Sequence, residues 1–154
     1  MGEPINIIDL VSELPGRRRG RACIVLTHDY AGQKKWAAKL AGQTGSDHID
    51  LLDFFSTNKE LSAKISAVSV KDLFDLLKQQ KDKDVLIVSG IEFLKAAWSG
   101  QTTIIEQFAS MVSTWDKTPS LLFVIQHDKQ LAEYNFTNRF QYTYLVDQRE
   151  TLAI

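Results

Sequence analysis

The chain of 154 residues has one cysteine, Cys23. An internal disulfide and a cysteine-based zinc site are therefore excluded, and the expected compartment is a reducing cytoplasm. Three prolines and eight glycines leave no linker, no low-complexity tract and no collagen-like repeat. No apolar run approaches the ~20 residues of a bilayer span, so no membrane partner is expected. The start, MGEPINIIDLVSELPGRRRGR, has no basic segment leading into an apolar one and does not read as a secretory signal. Asn6 stands where N-myristoylation needs Ser or Thr. Charge of either sign is not in excess: 18 Lys and Arg meet 19 Asp and Glu, a net −1. Only a local patch can then argue for nucleic acid.

What remains is an ordinary globular composition, 44% apolar and 24% charged, with the length of one domain over 1–154. Residues 5–14 have helical spacing and stop at Pro15-Gly16. The basic turn Arg17, Arg18, Arg19 and Arg21 follows. ACIVLT, 22–27, reads as a strand apolar on both faces, HDYAGQ as a polar loop, and 34–42 as a helix ended by Gly42. Residues 48–55 read as the second strand, and 58–68 fit no single pattern. Residues 69–80 form an amphipathic helix capped by Ser69, with Val70, Leu73, Phe74, Leu76 and Leu77 as its stripe. After a turn at 81–84, 84–90 is the third strand. A helix over 102–115 opens with a Thr103–Glu106 capping-box pattern. Strand 120–126, helix 128–135, strand 139–146 and a short hairpin return complete the chain. Alternating strands and helices predict an α/β fold, a three-layer α-β-α sandwich on a mostly parallel five-stranded sheet. Ligands of such sheets sit at the carboxyl ends of the strands, so the loops after Thr27, Ser89 and Gln126 matter most.

The first of these loops sits where a phosphate-binding loop, G-x-x-x-x-G-K-[ST], would lie. His28 to Lys35 align with it. Lys34 falls on the phosphate lysine. His28 and Gln33 replace the two glycines, and Lys35 replaces the Mg²⁺-binding hydroxyl. Gly32, Lys34 and Lys35 at a helix N-terminus are the remnant. Strand three ends Ser89-Gly90-Ile91-Glu92, with Ser89 where a metal-holding acid would stand and Glu92 in the loop beyond, either facing the cleft or capping a helix. Gln126, ending strand four, reads first as a plain strand-exit polar residue and otherwise stands where a γ-phosphate would be sensed. Arg139 lies in Phe136-Thr137-Asn138-Arg139-Phe140 before strand five.

In the order of these landmarks, over residues 20–146, the chain resembles the AAA+ branch of the P-loop NTPases. It is also similar in size to small lidless P-loop proteins, including one found in BREX-type phage-defence islands of prokaryotes. The resemblance implies a P-loop NTPase-like core, with Arg139 as a finger reaching across a subunit interface. The helical lid of an AAA+ protein is not expected, the chain ending at Ile154.

Three losses fall on one machine: a glycine, the Mg²⁺ hydroxyl and the metal-holding acid. No catalytic residue and no metal site is assigned, and nucleotide binding is expected to be absent or weak ATP or ADP binding. The expected role is a non-hydrolysing assembly or regulatory subunit, with a protein partner or copies of itself. Two alternatives stay open: an atypical ATPase using Lys34 and Glu92, and a DNA-associated module using Arg17 to Arg21. Trp98 is read as an exposed contact residue, Trp36 and Trp115 as core, and Cys23 as a buried small residue. His28, His127, Asp29 and Asp128 could meet at the strand ends, without metal-ligand spacing.

Overall fold

A computed structural model describes residues 3–80, 82–98, 103–136 and 142–154. The fold is α/β, with five parallel strands: β1 (Ala22–Thr27), β2 (Asp47–Asp50), β3 (Val85–Ser89), β4 (Ser120–Gln126) and β5 (Leu145–Asp147). Their order across the sheet is β2-β3-β4-β1-β5. Among the described residues eight α-helices flank it: α1 (Ile7–Glu13), α2 (Tyr30–Thr44), α3 (Leu51–Ser56), α4 (Lys59–Ala63), α5 (Val70–Lys78), α6 (Glu92–Ala97), α7 (Ile104–Thr114) and α8 (Lys129–Glu133).

Alternation along the strands divides the core into two faces. Cys23 and Val25 of β1 join Ile87, Leu122 and Val124 under α1 and α2, against Ile7, Leu10, Ala37 and Leu40. Ile24 and Leu26 point the other way, with Val88, Phe123 and Ile125, under α5, α6 and α7. Phe74 of α5 anchors that second layer. Its ring lies 5.8 Å from Phe108, 5.4 Å from Trp115 and 5.5 Å from Phe123. Each such buried aromatic contributes about 2 kcal/mol by area alone. Ser69 caps α5 through a full capping box with Asp72.

The structure corrects several expectations. The second strand is only four residues long, because Asp50 caps α3 by accepting from Asp53 N, and Leu51 and Phe55, one turn apart, are buried as a helical pair. The polar loop after β1 shrinks to His28 and Asp29, since Asp29 caps α2 at Gly32 N and Tyr30 already starts the helix. That helix ends at Gly45, in the left-handed conformation, rather than at Gly42. Glu92 begins α6 instead of lying in a loop. Thr103 precedes α7 but makes no side-chain cap. The last strand is three residues long, at the sheet edge beyond β1. A 3₁₀ turn, Gln148–Glu150, and a parallel bridge from Ile5 to Thr151 replace the hairpin return.

Candidate functional site

The chain leaves β1 into α2 on one face of the sheet and leaves β4 into α8 on the other. Connections that part in this way open a crevice at the adjacent strand ends, the usual ligand seat of a parallel sheet. With β4 between β1 and β3, residue 126 stands between the end of β1 and the end of β3.

The seat is filled by the chain itself. Gln33, on the first turns of α2, is buried at 2% exposure. Its carbonyl oxygen accepts from Gly90 N at 3.0 Å, and its amide donates to Glu92 Oε2 at 3.0 Å. The same carboxylate oxygen accepts from Gln126 N at 2.7 Å. Oε1 of Glu92 is buried without a protein donor among the described residues. Gln33 and Glu92 thus tie the ends of β3 and β4 to α2 where a phosphate would need open backbone N–H groups. Gln33, aligned in sequence with the second glycine of a phosphate-binding loop, is the residue that fills this space.

The residues expected to bind phosphate are dispersed. Gly32 lies within α2, and a Cβ there would fall 2.6 Å from Asp29 Oδ2. The Asp29 carboxylate therefore already occupies the positive end of α2. Lys34 turns away to pair with Asp53 of α3, which pushes its pKa up. Lys35 is exposed on the helix surface.

Beside this plug, Ser89 is buried between two β2 residues. Its hydroxyl donates to Asp50 Oδ2 at 2.9 Å, and its oxygen accepts from His48 Nε2 at 2.8 Å. Burial pushes the His48 pKa down. Gly90 has φ 72°, and a Cβ there would lie 2.7 Å from the Asp50 carboxylate. Only glycine lets the chain turn so closely over that acid. Through the two Ser89 hydrogen bonds the trio braces β2 on β3.

Toward β5, His28 stacks on His127 with centroids 4.9 Å apart and donates to Asp147 Oδ2 at 3.0 Å. Arg149 closes on the same carboxylate at 3.1 Å. Burial would raise the Asp147 pKa, but the hydrogen bonds from Arg149 and His28 outweigh it and hold the carboxyl well below the usual range. Asp128 is engaged elsewhere, 2.8 Å from Lys95, and Asp29 caps α2. Two histidines come together as expected, but among the described residues no group of three or more His, Cys, Asp or Glu is placed to hold a metal.

Other expected contact residues divide. Arg17 is not a surface cation: at 3% exposure, it donates to Gly20 O at 3.1 Å and Thr143 O at 3.0 Å, and its guanidinium lies over Tyr142 and Tyr144. Arg21 donates back to Arg17 O. Arg18 and Arg19 are exposed. Trp98 is buried at 3% exposure, with its indole donating to Val68 O at 2.7 Å, so it offers no contact surface. Trp115 is buried and Trp36 half-buried, and Cys23 is buried, its thiol pushed up to about 12 by desolvation. Arg139 lies outside the described residues. No helix among the described residues is long and apolar enough to cross a membrane. The sequence shows Gln33 crowding the place of a required glycine, but not the Gly90 and Glu92 partners that hold it there.

No protein-family model matches the chain, and no curated protein matches it in sequence.

Proposed function

We propose that this chain is a degenerate P-loop-like domain of AAA+ type that does not hydrolyse nucleotide. It works in the cytoplasm as an assembly or regulatory subunit through protein contacts. The observation that carries the reading is the Gln33 side chain bonded to Gly90 N and Glu92 inside the seat a nucleotide would need. To admit a triphosphate there, Gln33 must leave both partners and Asp29 must leave the end of α2. The anion would then face the carboxylates of Asp29, Asp50 and Glu92, with Lys34 held by Asp53. The atypical-ATPase alternative needs Lys34 and Glu92 free at once, and each already has a partner.

Calorimetric titration with ATP and ADP, with and without Mg²⁺, tests this. No heat at millimolar nucleotide is expected. Binding tighter than about 100 μM, roughly −5.5 kcal/mol, would overturn it.

A further inference from the structure

The basic turn before β1 is built to present two arginines. Arg17 folds back onto Gly20 O, and Arg21 folds back onto Arg17 O, so the turn is stapled across its base. Gly20, at φ 64°, lies so close to Tyr144 that a Cβ would be 2.3 Å from the phenol oxygen. Between these fixed residues Arg18 and Arg19 stand exposed, with no ion pair among the described residues. The tip is at the amino end of the sheet, since β1 begins at Ala22.

A trough lies elsewhere, on the outer face of α7. It consists of two grooves, of about 460 and 420 Å³, that meet at Glu106 and Tyr134. Val70 and Met111 give it apolar walls. Glu106 and Glu133 are exposed acids without an ion pair among the described residues, and Lys71 on its rim is paired with Asp75. The residues 103–106 that open α7 follow β3 and α6, so the trough lies toward the carboxyl end of the strands.

We infer that the Arg18–Arg19 tip of one copy docks in the Glu106–Glu133 trough of a second copy. Two cations meet two acids, and the tip loses little freedom on docking because its base is already fixed. Two arginines fall well short of the phosphate contacts that duplex binding commonly uses, which favours an acidic protein groove over nucleic acid. Tip and trough lie on different parts of the fold, so the contact joins unlike surfaces of the two copies. The inference rests on the assembly role proposed above and supplies its partner. The ATP titration can fail without touching it, and it can fail while the nucleotide seat stays closed.

Sedimentation velocity of the full chain, from about 1 μM to about 1 mM, tests it. The wild-type sedimentation coefficient should rise with concentration, and association should weaken about tenfold or more when salt is raised from about 0.05 to about 0.5 M. R18E/R19E and E106K/E133K, all at exposed positions, should each stay monomeric with unchanged circular dichroism. Mixed one to one they should associate again, because a reversed tip then meets a reversed trough. A wild-type chain monomeric throughout, charge-reversed variants that associate like wild type, or a mixture that stays monomeric would each overturn the inference. So would salt-sensitive binding to duplex DNA by a chain that does not self-associate.

Discussion

The carboxyl rim of the sheet and the arginine turn at its amino end both carry charged residues in a suggestive order, and they use them differently. At the rim, Gln33, Glu92, Lys34 and Asp29 are each turned onto another group of the same chain. In the turn the four arginines divide, Arg17 and Arg21 holding the loop and Arg18 and Arg19 facing water. A polar residue at a motif position becomes a binding group only where the fold leaves its bonds unmade. Burial decides this, and composition does not report it.

The contrast breaks most sharply at Arg17. Arg17→Ala deletes a buried cation with two carbonyl partners and two aromatic rings beneath it. It should cost about 3 kcal/mol, read as a lower urea midpoint. Arg18→Ala should stay within about 0.5 kcal/mol of wild type. Equal effects at 17 and 18 would erase the division of the run.

At the rim, Gln33→Ala tests whether the plug is structural. It strips the buried Gly90 N–H of its acceptor and leaves Glu92 with Gln126 N as its only donor among the described residues. Unfolding should become about 2 kcal/mol easier, the scale of orphaned buried polar groups. ATP binding should not appear, since Asp29 still caps α2 and Lys34 still pairs with Asp53. Nucleotide binding by this variant would show the seat to be intact beneath its plug.

Much of the fold was legible because it rests on periodicity. Strand 120–126 and the Ser69 cap appear as read, and the all-parallel sheet follows from the alternation of elements. The misreadings share a cause. Asp29, Asp50 and Thr103 each stand just before a helix as a short polar side chain; the first two cap and begin a helix early, and the third does not cap at all. A single oxygen reaching or missing one N–H separates these outcomes, and spacing does not encode it. The site was legible as a set of losses. Its filling was not, because the Gln33 contacts join residues 57 and 59 positions apart in sequence. The apolar contact surface assigned to Trp98 failed for the same reason: Val68 O, thirty positions upstream, takes its N–H and draws it inside.

The smallest expected effect compares the two ends of the rim by pH. The Asp147 carboxyl is held well below its ordinary 3.8, so the unfolded chain takes up its proton first as pH falls. Its stabilisation is complete above that value and is lost as pH drops below it. His48 acts in a higher window. Its folded value lies below 6.5, so the unfolded chain protonates first there too, and stability again falls with falling pH. Urea midpoints followed from pH 8 to about pH 3 should therefore decline in two stages. Asp147→Asn should flatten only the acid stage, by removing the carboxylate that receives His28 and Arg149. His48→Gln should flatten only the upper one. An acid stage unchanged in Asp147→Asn would mean that another carboxyl governs it, and Asp128, which burial would raise but the hydrogen bonds from Lys95 and Leu131 N together bring down, is the next to replace.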